Sequence, residues 1–260
     1  MQSDGPLDVL PLWGAFFVIL LLVLVSVEVG YRLGKYRSRN TEEKESAVGA
    51  MVGATLGLLA FMLAFTFGLA AERFDERRQA VLDEANAIGS AYLRAGMIGE
   101  RREEIRALLR TYVDTRLEAI QSGHIAEGIR QSERLQTQLW THAETIAGQH
   151  PTSVTVGLFV QSVNDVIDLH AKRVTFGVRN RIPPAIWLAL LTVAALSLTA
   201  MGYHAGLSRT SRSVAEIVVA GAFAVVLGLI ADLDRPQEGF LKVSQQALID
   251  ARQSMQPPRK

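Results

Sequence analysis

AVGAMVGATLGLLAFMLAFTFGLAA, residues 47–71, contains no charge and passes directly into ERFDERR, residues 72–78. As a helix these 25 residues measure about 37 Å, enough to cross a hydrocarbon core of about 30 Å with some tilt. Gly49, Gly53, Gly57, Phe61 and Phe65 recur at every fourth position, which predicts one helix face that is thin at one end and aromatic at the other. Lipid is met best by Leu, Ile and Val. This face suits close contact with another helix or the lining of a narrow pore.

Outward from this run, apolar residues gather into three more stretches of membrane-crossing length. The four spans fall at about 10–29, 47–71, 185–203 and 213–231. Residues 72–182 are charged and amphipathic, unable to enter a bilayer. The sequence therefore predicts an all-α integral membrane protein: four transmembrane helices with a helical, water-exposed domain between the second and third. Its segments are 1–71 with two spans, the soluble domain 72–182, 183–232 with two more spans, and a tail 233–260. The leader 1–9 carries Asp4 and Asp8, no Lys or Arg, and no small-x-small cleavage site follows, so the first span reads as a retained anchor. The absence of cysteine excludes disulfides, thiolate zinc sites and cysteine nucleophiles. With 27 basic and 26 acidic residues, nothing calls for nucleic acid.

Basic residues near the spans give two orientations. The connection 31–46 has Arg32, Lys35, Arg37, Arg39 and Lys44 against a leader with none, which puts the central domain outside. Arg73, Arg77, Arg78, Lys172, Arg173, Arg179 and Arg181 flank the central domain and Arg235, Lys242 and Arg252 lie in the tail, which puts it in the cytoplasm. The total count leans to the second; the first span leans to the first.

The central domain reads as four helical stripes. Phe74, Val81, Ala85, Ile88 and Tyr92 continue from the second span until Gly96 and Gly99. Ile105 to Ile120 form a second stripe that ends near Gly123, and Leu135, Leu139, Ala143 and Ile146 a third that ends at Gly148. Pro151 opens a fourth, with Val154, Leu158, Val163, Ile167 and Val174 facing inward. Pro183-Pro184 then starts the third span. Residues 252–260 read as a frayed end.

No phosphate-binding glycine loop, dinucleotide fingerprint, nucleophile elbow or zinc-protease motif is present, and His124, His142, His150, His170 and His204 have no ligand spacing. No enzyme, cofactor or metal site is expected. Glu216 follows Ser213 with capping-box spacing and reads as a helix start; Glu28 can reach the interface. Asp232 and Asp234 sit where the fourth span ends, an unfavourable place for negative charge. A salt bridge to Arg73, Arg77 or Arg78 is the expected compensation, with Arg235 or a bound ion as alternatives.

Phe61-x-x-x-Phe65 followed eight residues later by Arg73 resembles the second membrane helix of bestrophins and its run into the cytosol. The whole chain is more similar still to bacterial bestrophin-like proteins, through Leu58-Leu59-Ala60-Phe61, residues 83–89 (DEANAIG) and residues 232–240 (DLDRPQEGF). That resemblance implies a homopentameric ion channel in a bacterial inner membrane, with a pore lined by the second helix and with both termini and the central domain cytoplasmic. Its partners would be lipid, inorganic ions and copies of itself. Phe61 and Phe65 would form the neck, with Gly57 at a third neck position where bestrophins carry bulk. Apart from the resemblance, Gly49, Gly53 and Gly57 form a small-xxx-small pattern that lets another helix approach closely, within the chain or from a second copy. The acidic run near Asp232 is shorter than a calcium clasp. The resemblance includes anion and cation conductors, with a lean to anions. The alternative is a non-conducting scaffold or sensor whose helical domain binds a partner; it expects Phe61 and Phe65 to be covered by the same chain.

Overall fold

The structure, a computed structural model, describes residues 10–39, 45–99, 101–208, 214–235 and 239–256. Among them all regular structure is helical. The elements are α1 (Leu12–Arg37), α2 (Glu45–Ala95), α3 (Arg102–Ser122), α4 (Ile125–Gln149), α5 (Val154–Val174), α6 (Pro184–Leu207), α7 (Val214–Asp234) and α8 (Gln246–Ser254), with a π-helical stretch Thr175–Arg179 after α5. Helices α1, α2, α6 and α7 hold the segments long and apolar enough to cross a membrane. The chain divides into two compact units, residues 1–74 with 181–242 and residues 75–180 with 243–260.

In the first unit α1 packs on α6 and α7. Ile19 and Val23 of α1, Leu59 and Leu63 of α2, Leu190, Ala194 and Leu198 of α6, and Leu227 and Ile230 of α7 share one buried cluster. The closest approach is a glycine clasp. A Cβ at Gly30 would strike the Thr199 carbonyl oxygen, and one at Gly34 that of Tyr203. Reciprocally, a Cβ at Gly202 would strike Val27 O and one at Gly206 would strike Tyr31 O. Positions rise together along both helices, so α1 and α6 run parallel. The motifs are Gly30-Tyr31-Arg32-Leu33-Gly34 and Gly202-Tyr203-His204-Ala205-Gly206. Small residues four apart let backbones meet, which gives dispersion and Cα–H···O contacts where lipid offers no hydrophobic drive. Pro183 and Pro184 start α6 as expected.

The second unit is a bundle of the later part of α2 with α3, α4, α5 and α8, around a core that includes Ile88, Leu109, Tyr112, Leu139, Phe159 and Leu248. Gly123, at φ 74°, closes α3 in the left-handed conformation that glycine adopts without strain. Three details differ from the sequence reading. Helix α4 runs through Gly148 to Gln149, because what stops it is Pro151, whose ring bars His150 from helical geometry. The inward face of α5 is Val156, Phe159, Val163, Val166, His170 and Arg173, while Val154 and Leu158 are exposed. The 3-4-3-4-3 spacing of that face is the better helical stripe, anchored by the bulk of Phe159. The tail is not a loose end up to Gln256: α8 buries Leu248, Met255 joins the core, and Tyr92 Oη donates to Met255 O at 2.9 Å. Residues 257–260 lie outside the described residues.

Candidate pore-lining face

Within the membrane segment of α2 the buried positions are Val52, Leu59, Leu63, Thr66 and Ala70. Thr66 Oγ1 donates back to Met62 O at 2.8 Å, and Ser197 Oγ of α6 donates to Thr55 O at 3.1 Å, so polar groups on this side are satisfied internally. The other side is uncovered. Phe61 and Phe65 are 70% and 69% exposed. A Cβ at Gly53, Gly57 or Gly68 would meet nothing within 4 Å.

The five-residue ladder is nevertheless not one face. Each four-residue step turns the helix by about 400°, so successive rungs drift by about 40° and Gly49 ends about 160° round from Phe65. Gly49 accordingly faces α6, where its Cβ would lie 3.0 Å from His204 Nε2. Gly49 is a packing glycine inside the chain. A Cβ at Gly53 meets nothing within the chain, so of the two glycines only Gly49 packs on a neighbouring helix of the same chain.

At the acidic end of α7, where the sequence expectation is an arginine from Arg73, Arg77 or Arg78, the partners found within the first unit are of another kind. Asp234, buried, pairs with Arg181 Nε at 3.2 Å and accepts from Ile182 N at 2.9 Å. Asp232, also buried, accepts from the backbone N–H groups of Phe240 at 2.9 Å and Leu241 at 3.2 Å. Backbone donors and one guanidinium just before α6 thus neutralise the carboxylates against the helix dipole. Arg235 donates to Leu10 O at 2.8 Å, and Arg78 lies 3.9 Å from Asp75 on an exposed surface. Arg73 is half-buried. Glu28 pairs with Arg32 at 2.7 Å one turn on. The Ser213 cap expected for Glu216 lies outside the described residues.

Gly239 makes the Asp232 contact possible. Its φ is 132°, and a Cβ there would strike Asp232 Oδ1. Gly239→Ala is expected to cost about 1–3 kcal/mol, through backbone strain and displacement of the carboxylate. Thermal unfolding of the full chain in detergent checks it, with Gly148→Ala, where the Cβ has open space, as the tolerated control.

In the second unit the structure assembles a buried polar cluster that sequence reasoning missed. Glu84 of α2, with none of its surface exposed, accepts from Tyr112 Oη of α3 at 2.6 Å. It pairs with Arg173 of α5 and lies 3.4 Å from Arg116 Nε of α3. Tyr112 Oη also lies 3.0 Å from His170 Nδ1 and accepts from Gln136 Nε2 of α4 at 3.3 Å. Because the hydroxyl proton goes to Glu84, the ring proton of His170 must sit on Nδ1. Arg173 donates onward to Gln245 Oε1 at 2.7 Å. Burial by itself pushes the Glu84 carboxyl up; Arg173 and Arg116, with the nearby His170 ring and the hydrogen bond from Tyr112, together hold it well below the usual carboxylate range. Burial, reinforced by the Glu84 charge, pushes the Tyr112 hydroxyl up, so it keeps its proton. The available signal was polar residues at apolar-stripe positions: Glu84 between Val81 and Ile88, Tyr112 and Arg116 four apart, His170 and Arg173 three apart.

A sequence profile of the Bestrophin-like domain matches residues 15–248. No curated protein matches the chain. Solved structures do. A point variant of a bacterial bestrophin homologue from Klebsiella pneumoniae superposes with a TM-score of 0.67 at 15% identity, over 92% of this chain and 98% of that one. Another variant of a Klebsiella pneumoniae bestrophin homologue gives 0.67 at 13% identity, over 92% and 96%. A structure described only as a membrane protein gives 0.66 at 14%, over 94% and 98%.

Proposed function

The chain belongs to the bestrophin-like family, and from that premise we propose that it is an oligomeric ion channel of a bacterial inner membrane. Copies of α2 surround its pore, and Phe61 and Phe65 form a hydrophobic neck that closes by dewetting. The observation that carries this reading is the contrast between exposed faces. Those of α1 and α7 present Phe17, Leu21, Leu24, Val25, Ile217, Val218 and Val225, which suit lipid. That of α2 presents Gly53, Gly57, Ala60, Ala64 and Gly68 around Phe61 and Phe65, with Met51, Leu58 and Phe67 also exposed. Small side chains give lipid little to pack on, yet leave room for water and ions or for a second copy of the helix. The resemblance suggests five copies, and the basic residues flanking the central domain favour a cytoplasmic place for it and for both termini. The neck carries no charge and does not itself set the sign of the ion, so the lean to anions rests on resemblance alone.

Phe61→Ala with Phe65→Ala is expected to raise ion flux into liposomes about tenfold by widening and wetting the neck. Gly57→Leu is expected to lower it, since the added side chain meets nothing in its own chain and projects into free space. Flux absent from both the wild type and the double-alanine variant, in an oligomer verified in mild detergent, would leave the non-conducting scaffold. That alternative expected Phe61 and Phe65 to be covered by their own chain, and their exposure counts against it.

A further inference from the structure

We propose that Glu72 selects the sign of the permeant ion and that the channel prefers cations. The inference rests on the pore reading of Phe61 and Phe65 and deepens it. Glu72 is the first charge on α2 after the uncharged run 47–71. It follows Phe61 by eleven residues and Phe65 by seven, turns of about +20° and −20° after whole revolutions, so its azimuth falls between the two rings. It stands about 10 Å further along the helix axis than Phe65. Whatever Phe61 and Phe65 face, Glu72 faces too.

The carboxylate is uncommitted. Glu72 is exposed, and among the described residues no hydrogen bond or ion pair reaches its side chain. The other glutamates nearby on α2 are engaged: Glu76 accepts from Asn180 at 3.2 Å and Glu84 is enclosed by its partners. The neighbouring cation stands on a different side of the helix. Arg73 is turned a further 100° or so from the Phe61/Phe65 azimuth, is half-buried, and has an Nη1 sealed from solvent. Between neck and carboxylate the face holds Gly68, beside which a Cβ would have open space, so no bulk separates Glu72 from an ion leaving the neck. Repeated around a symmetry axis, it becomes a ring of carboxylates at the mouth of a narrow apolar passage. Such a ring concentrates cations and repels anions. The sign is opposite to the one the resemblance leans to.

Reversal potentials across a KCl gradient in planar bilayers test this, on the wild type, Glu72→Gln and Glu72→Lys, each also in the Phe61→Ala/Phe65→Ala background so that currents are large. The wild type is expected to favour potassium over chloride. Glu72→Gln is expected to reduce that ratio about fivefold, and Glu72→Lys to invert it. Raising KCl from about 0.1 M to about 1 M shortens the screening length from about 10 Å to about 3 Å, so the wild-type preference should shrink with salt. A wild type that favours chloride, or a ratio that neither substitution moves, overturns the role of Glu72 and leaves the channel standing. Absence of current from every variant in a verified oligomer overturns the pore reading, and this inference with it. Glutamine matches glutamate in length and helix propensity, so loss of folding is not the expected outcome.

Discussion

Glu84→Ala is expected to destabilise the bundle of the second unit by about 3–5 kcal/mol, a large share of what holds a domain of this size together. The size follows from what remains after the carboxylate is gone. Arg116 and Arg173 stay buried beside each other with no counter-charge, and Tyr112 Oη loses the acceptor that fixes its proton. Tyr112→Phe removes the hydroxyl that meets Glu84, His170 and Gln136 but leaves both ion pairs, so about 1–3 kcal/mol is expected. Amide hydrogen exchange of residues 75–180 in the full chain in detergent measures both. If Glu84→Ala proves no worse than Tyr112→Phe, the cluster is not held by its charges. The same carboxylate gives the bundle an acid limit. Its proton affinity is lower folded than unfolded, so its stabilisation is complete above the ordinary glutamate range near pH 4.3. Below that range protonation favours the unfolded chain, and the stabilisation drains away as pH falls toward the depressed folded value. Exchange protection in the bundle should therefore fall on acidification below about pH 4, and this dependence should vanish in Glu84→Ala.

Gly30→Ala and Gly202→Ala are each expected to cost about 3 kcal/mol, at the upper end for overpacking. Ordinary overpacking is relieved when a neighbouring side chain changes rotamer. Here the added carbon meets the carbonyl oxygens of Thr199 and Val27, which are helix backbone and cannot step aside without separating α1 from α6. Gly53→Ala is the matched control on α2, where a Cβ meets nothing; better helix propensity should make it neutral or stabilising by up to about 1 kcal/mol. Thermal unfolding in mild detergent separates the cases. Equal tolerance at Gly30 and Gly53 would show that the clasp is looser than drawn.

The spans were legible because runs of about 19 to 25 apolar residues have few other readings. The breaks between the soluble helices followed from Gly123, Pro151 and Pro183, residues whose backbone chemistry acts locally. The glycine clasp was not legible in the same way. Gly30 and Gly34 lie about 170 residues from Gly202 and Gly206, and a small-residue pair has meaning only once the opposing helix is known. The Glu84 cluster failed for a related reason, since Arg173 is 89 positions away and no periodicity within one helix announces its partner on another. The ladder on α2 reads as a single face only if a spacing of four counts as a full turn, and it overshoots by about 40°. That drift turns Gly49 toward α6 and leaves Gly57, Phe61 and Phe65 outside. The same arithmetic brings Glu72 back into line with the aromatic pair.

The backbone contact between α1 and α6 also restricts how those helices can move. Two helices joined through side chains can slide by fractions of an ångström as rotamers adjust. A pair seated glycine on carbonyl can re-seat only where the next glycine would fall, four residues or about 6 Å away. Shifts of that size are discrete ratchet steps, not a continuous creep. The first and third spans therefore act as one strut.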